Sequence, residues 1–77
     1  MSTRPDDQLV TVISRWLARH VGDDELRARI TEVGLDELAP GQREAVEELL
    51  TELGQANGRG ELERVAREAL EALALGG

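Results

Sequence analysis

The 77-residue chain contains no cysteine, lysine, tyrosine or phenylalanine, and its one tryptophan is Trp16. Without cysteine, neither a disulfide nor a Cys-ligated zinc ion can stabilise the fold. No segment approaches the roughly 20 consecutive apolar residues of a membrane span, and the N-terminus lacks the apolar region of a secretory signal. A chain this short buries only about 60% of the surface that its unfolded form exposes. We therefore expect a cytoplasmic protein with a thin core, stabilised by helix packing.

Acidic residues dominate the charge. Sixteen aspartates and glutamates against nine arginines give a net charge of −7. This charge opposes non-specific attraction to nucleic-acid phosphates and to anionic lipid surfaces. A helix-turn-helix regulator is disfavoured because the third predicted helix carries glutamates where a major-groove helix needs basic residues. We expect no nucleic acid and no membrane among the partners.

His20 is the only histidine in the chain. A general base needs a nucleophile or an orienting partner, and a metal ion needs several ligands. The sequence spacing assembles neither around His20, and the chain has no glycine-rich phosphate loop. We therefore predict no enzymatic activity, no catalytic residue, no metal, no cofactor and no small-molecule ligand. His20 is expected in the last turn of the first helix, where the helix dipole favours a cation.

Apolar residues recur at three-and-four spacing along most of the chain, which is typical of amphipathic helices. No alternating segment is long enough to indicate a strand. The sequence thus predicts an all-α fold, a small antiparallel bundle of four helices with one short turn. We expect residues 1–5 to be a flexible N-terminus, 6–75 a single helical domain, and 76–77 a tail or the start of a linker.

Glycines and acidic residues mark the ends of the first two helices. The first helix is expected over Asp6–Val21, and Gly22 is expected to end it. Either Asp23 or Asp24 is then expected to cap the second helix, which ends at Gly34.

Proline and glycine also mark the last two helices. The third helix is expected to begin at Pro40, which suits a first helical turn. It is expected to end at Asn57–Gly58 rather than at Gly54, because Ala56 falls on the same face as the buried leucines. The fourth helix is expected over Gly60–Leu75.

Trp16 lies at the centre of the apolar face of the first helix, so we interpret it as the largest core residue. The alternative is an exposed Trp16 that serves as a hot spot for a partner. The apolar faces of the four helices predict a core of Leu9, Ile13, Trp16, Leu17, Leu26, Ile30, Val46, Leu49, Leu50, Leu53, Leu62, Val65, Leu70 and Leu73.

Charges of opposite sign lie on different predicted helices. The solvent face of the third helix carries glutamates, whereas the first two helices carry arginines, including Arg27 and Arg29. If the two faces lie on different sides of the molecule, copies can associate head to tail. The alternative is that both faces only keep the domain soluble. The candidate interaction residues are Arg15, Arg19, Glu44, Glu47, Glu48 and Glu52.

The segment from Val46 to Leu70 contains ELL, a polar turn with Asn-Gly-Arg-Gly, and the run GELERVAREAL. It resembles the last two helices of bacterial death-like, effector-associated domains, in which a helix ending near a Gly-Arg pair leads into a Leu-x-x-Leu or Leu-x-x-Val helix. The preceding helices and the GLDEL turn follow the same order. The resemblance implies a death-fold adaptor that pairs with another death-like domain, in itself or in a partner, and recruits an effector to a sensor ATPase in bacterial defence or signalling. Death folds have six helices, so a bundle of four to six helices is expected.

Two short motifs suggest another class, a leader or degenerate carrier-type domain recognised by a modifying enzyme. GLDEL resembles the Gly-x-Asp-Ser-Leu turn of acyl carrier proteins, but Glu37 stands where the attachment serine would be. Gly76-Gly77 resembles the double-glycine processing site of leader peptides, although Ala74 is a weak match to the apolar residue required before it. A C-cap glycine followed by a linker accounts for Gly76 better.

Overall fold

The computed structural model describes residues 4–55 and 58–76. Within these two ranges it contains four α-helices and no strand, so the all-α prediction is confirmed. The helices are α1 Pro5–Leu17, α2 Asp23–Val33, α3 Pro40–Leu53 and α4 Arg59–Leu75.

The four helices form a bundle in which α4 packs against both α1 and α3. On its other side α1 packs against α2, and α2 touches α3 more lightly. No contact joins α1 to α3 in the part of the chain that the structure describes, so these two helices lie diagonally across the bundle. Their outward faces therefore point to different sides of the molecule.

The first helix begins and ends earlier than the sequence suggests. Pro5 is its first residue rather than part of a flexible N-terminus, and Leu17 is its last, so the expected end at Val21 is wrong. Arg19 adopts a left-handed conformation, with φ +66°. The N–H of Arg19 bonds to the Trp16 carbonyl at 3.0 Å, and the next N–H bonds to the Arg15 carbonyl at 2.8 Å. These two bonds form a Schellman motif, so an arginine ends the helix in the position that usually favours glycine.

Gly22 and Asp23 also differ in role from the prediction. Gly22 precedes α2 in an extended conformation and does not end α1. Neither Asp23 nor Asp24 caps α2, because Asp23 is already the first helical residue and no side chain makes the cap hydrogen bond. Gly34 ends α2 with φ +82°, as predicted.

The third helix starts at Pro40 as predicted, but the favoured later stop is wrong because the helix ends at Leu53. The N–H groups of Gly54 and Gln55 bond to the Thr51 and Glu52 carbonyls, three residues back. This tighter turn closes the helix without a left-handed residue, since Gly54 has φ −84°. Ala56 and Asn57 lie outside the described residues.

Apolar side chains from all four helices and from the turn between α2 and α3 meet in one core. Three of the predicted core residues, Leu17, Leu50 and Leu70, are half-buried and pack against it. Its buried members are Leu9, Val12, Ile13, Trp16, Leu26, Ile30, Leu38, Val46, Leu49, Leu53, Leu62, Val65, Ala66, Ala69 and Leu73.

Gln42 is a buried polar residue that joins α3 to α4. Its side-chain oxygen accepts from the Ala39 N–H at 3.0 Å, and its amide nitrogen donates to the Leu73 carbonyl at 3.1 Å. The first turn of α3 therefore lies beside the last turn of α4, so the two helices run antiparallel. The contact satisfies buried groups that would otherwise destabilise the fold.

Candidate functional site

Trp16 is fully buried where the end of α1, the start of α2 and the start of α4 meet. Its indole N–H donates to a carboxylate oxygen of Asp23 at 2.6 Å. The guanidinium of Arg59 lies 4.2 Å from the centre of the indole ring, within cation–π range. The same guanidinium donates to the Trp16 carbonyl at 3.0 Å. We call these residues, with Glu63, the Trp16 junction.

Glu63 completes the junction from the next turn of α4. Its carboxylate accepts from Arg59 Nε at 2.9 Å. This hydrogen bond lowers the pKa of the Glu63 carboxyl, and the nearby charges of Arg67 and Arg19 lower it further. Arg59 is thus hydrogen-bonded to both α1 and α4. The junction holds three helix ends together, and every charged group in it has a partner.

Farther along α4, Arg64 sits between two glutamates. It pairs with Glu61 one turn before it and with Glu68 one turn after it, the latter at 3.0 Å. The hydrogen bond from Arg64 lowers the pKa of the Glu61 carboxyl, and the same bond raises the pKa of Arg64. The charge of Glu48 on α3 also contributes to the raised pKa of Arg64.

A groove of about 510 Å³ runs between α1 and α2, and we call it the α1–α2 groove. Val12 and Val21 supply apolar lining, and charged side chains line the rest. Arg15 makes no ion pair with any residue that the structure describes. The groove is lined by Asp7, Gln8, Thr11, Val12, Arg15, Val21, Glu25 and Arg29.

A stripe of exposed charged residues follows the outer face of α3. Glu44, Glu47 and Glu48 are exposed, and the last two follow Glu44 by three and four residues, so they lie on the same side of the helix as Glu44. We call them, with the adjacent exposed Arg43, the α3 stripe. Glu52 is half-buried.

The predicted arginine pair does not form a helical face. Arg15 and Arg19 are four residues apart, but α1 ends at Leu17 and the left-handed turn takes Arg19 out of the helical register. Arg15 lines the α1–α2 groove, whereas Arg19 acts electrostatically on Glu63 of α4. Sequence spacing missed the Trp16 junction, because no local signal shows that Asp23 and Arg59 converge on Trp16.

His20 is exposed and lies beyond the end of α1, not in its last turn as predicted. No group of three or more potential metal ligands occurs within residues 4–55 and 58–76. In the same ranges, each buried side-chain nitrogen or oxygen has a hydrogen-bond partner. None of the described helices combines the length and the apolar character needed to cross a membrane.

The two motifs that suggested a leader or carrier lie in the turn before α3 and at the end of α4. Glu37 is exposed in the turn before α3 and offers no hydroxyl for attachment. Gly76 has φ +78°, and its N–H bonds to the Ala72 carbonyl at 3.2 Å. It therefore acts as the left-handed C-cap of α4. Gly77 lies outside the described residues.

No protein-family model, curated protein or solved structure matches this chain. The interpretation of the candidate site therefore depends on geometry alone. Its three parts are the closed Trp16 junction, the open α1–α2 groove and the exposed α3 stripe.

Proposed function

We propose that this protein is an interaction adaptor of the death-like type that pairs homotypically. In this proposal it recruits an effector to a sensor ATPase in bacterial defence or signalling. The sequence resemblance suggests this class, and the small helical bundle is compatible with it. A second copy of the chain, or a matching domain of another protein, is the expected partner.

The observation that carries the proposal is the diagonal placement of α1 and α3. Arg15 lies on α1 and the acidic residues of the α3 stripe lie on α3, so one molecule cannot pair these charges with each other. Two molecules can do so, and the pair then retains one unpaired acidic face on the first molecule and one unpaired basic face on the second. Such a contact is heterologous and extends head to tail into a ring or an open filament.

The charges favour weak and salt-sensitive pairing. Exposed charges are largely screened beyond about 8–10 Å at ordinary ionic strength, and exposed ion pairs contribute about 0–1 kcal/mol each. An adaptor of this kind associates measurably when its local concentration is raised by a clustered parent protein. Weak pairing is suited to recruitment that must be reversible.

Charge reversal tests the proposal. Arg15→Glu in one protein, and Glu47→Arg with Glu48→Arg in another, should each abolish self-association in light scattering at low salt. Mixing the two variants should restore pairing, because the reversed faces match each other. Arg27→Glu is the matched control, since Arg27 is an exposed residue of α2 outside the groove and the same charge change is made.

Arg19→Glu tests whether Arg19 belongs to the contact, as helical spacing predicts, or lies outside it, as the left-handed turn after α1 indicates. If Arg15 alone belongs to the contact, Arg19→Glu should weaken association much less than Arg15→Glu. The proposal is wrong if the wild-type protein stays monomeric at millimolar concentration in low salt and does not pair with the matching domain of a neighbouring gene.

A further inference from the structure

We infer that the α1–α2 groove is the docking site for α3 of a second copy of this chain. The inference rests on the proposed homotypic pairing and names the surface that receives it. Its basis is a match of size and charge between the groove and the α3 stripe.

The groove has charged side chains available for a partner. Arg15 has no ion pair within the described residues, and Arg29 pairs only with Glu32, at 3.9 Å. The side chains of Arg29 and Glu32 are 51% and 73% exposed, so solvent screens their attraction. Both guanidinium groups can therefore bind carboxylates from another molecule.

The α3 stripe is an exposed surface that carries free charges of both signs. Within the described part of the chain, Arg43, Glu44 and Glu47 form no ion pair. The charges of α4 differ, because Arg59 and Arg64 are already paired with glutamates of the same helix. Arg67 and Glu71 of α4 also form no ion pair within the described residues, so the choice of α3 depends on its match to the groove.

The signs of the groove charges favour this occupant over a simple polyanion. Asp7 and Glu25 line the groove together with the two arginines, so a purely acidic ligand would meet repulsion as well as attraction. The α3 stripe presents Arg43 one helical turn before Glu47, and it therefore supplies both signs. Complementarity of this kind sets partner choice more than affinity.

The dimensions also match. From Asp7 to Arg15 the groove follows about 12 Å of α1, at 1.5 Å of rise per residue. From Glu44 to Thr51 the outer face of α3 extends over about 10 Å, which is two helical turns. The half-buried Val21 provides apolar contact in the groove, so the contact is not purely electrostatic.

Cysteine cross-linking tests the inference directly, because the chain has no native cysteine. One protein carries Thr11→Cys, in the groove, and a second carries Glu47→Cys, on the stripe. We expect the mixed pair to form a disulfide-linked heterodimer several-fold faster than the control pair of Ser14→Cys with Glu47→Cys. Ser14 is exposed on the same helix but does not line the groove.

The outcomes separate the inference from the proposed function. Suppose that Thr11→Cys and Ser14→Cys cross-link to Glu47→Cys at equal rates while the charge swap still restores pairing. The groove would then not be the docking site, but homotypic pairing would stand. Rapid linking of Thr11→Cys to itself would also overturn it, because two grooves would then face each other across a two-fold axis. Absence of all association at low salt would overturn both.

Discussion

The Trp16 junction and the α1–α2 groove both lie along α1, and they use arginine in opposite ways. In the junction, Arg59 contacts the Trp16 ring, donates to the Trp16 carbonyl and pairs with Glu63. In the groove, Arg15 has no ion pair among the described residues and faces an open space of about 510 Å³. The first arginine is fully engaged within the fold, and the second is free for a partner.

Under the proposed function, this difference separates the residues that stabilise the domain from those that bind a partner. A thin core has few residues to spare, so the one large aromatic side chain and its polar partners are concentrated where three helix ends meet. The proposed interaction surface lies elsewhere, and its exposed charged residues can be substituted without change to the core. Mutations in the two regions should therefore have different consequences, one for unfolding and the other for association.

Removing the indole should have the largest effect on stability. Trp16→Ala deletes a fully buried side chain and should cost about 3–5 kcal/mol, from a total that is roughly 4–12 kcal/mol for a domain of this size. Urea denaturation followed by circular dichroism measures the loss. Leu75→Ala is the control, because Leu75 is 77% exposed and its truncation should change little.

Wild-type fluorescence checks the same residue without mutation. Because Trp16 is the only tryptophan and is fully buried, the native emission should be blue-shifted and should move to longer wavelength on unfolding. Native emission at the wavelength of free tryptophan in water would contradict the burial of Trp16.

The next effect should come from the guanidinium of the junction. Arg59→Met retains much of the apolar stem but loses the cation–π contact and the hydrogen bond to the Trp16 carbonyl. The expected cost is about 1–2 kcal/mol, because both interactions are partly shielded from water. Chemical denaturation monitored by fluorescence measures it.

Arg64→Met is the control for Arg59→Met, since Arg64 forms two ion pairs on the same helix. Its side chain is 55% exposed, so solvent screens both pairs and we expect a much smaller cost than for Arg59→Met despite the larger number of ion pairs. Equal costs for the two variants would show that surface ion pairing, and not contact with Trp16, accounts for the effect of Arg59.

Much of the bundle was predictable from the sequence, because apolar periodicity depends on local spacing alone. The four helices, the starts at Pro40 and near Pro5, and the end at Gly34 all have local signals. The end of α1 did not, since residues other than glycine rarely adopt positive φ. The positive φ of Arg19 could not be inferred from the sequence, because Gly22, three residues further along, is the residue type that usually ends a helix in this way.

The candidate site was less predictable, because it depends on which residues meet after folding. The acidic face of α3 follows from helical spacing, and so does the exposure of Arg15. The Trp16 junction joins residues up to 47 positions apart, from Trp16 to Glu63, and Asp23 suggested a helix cap instead of an indole partner. The α1–α2 groove likewise exists only where two helices lie side by side.

Replacing Arg19, which has a positive φ, should raise the stability of the protein, and by less than the junction variants lower it. Arg19→Gly should stabilise the protein by about 0.5–1 kcal/mol, because glycine adopts positive φ without the steric cost that arginine pays there. Ala28→Gly is the matched control at an exposed helical position of α2, where the same residue should destabilise by about 1 kcal/mol. Destabilisation in both variants would mean that the charge of Arg19 beside Glu63 outweighs the backbone strain.

The smallest effect on stability should come from Arg15 in the α1–α2 groove. Here the same change of arginine to methionine can be made as at Arg59 in the Trp16 junction. Arg15→Met should change the free energy of unfolding by no more than about 0.5 kcal/mol, because an exposed side chain without a partner contributes little to the fold. The same variant should weaken self-association in light scattering, since it removes a cation that the acidic residues of a second copy would bind. Arg59→Met should show the reverse pattern, with lower stability and unchanged association whenever the protein is folded. A large loss of stability in Arg15→Met would show that the groove arginine belongs to the fold, and the distinction between the two arginines would then be lost.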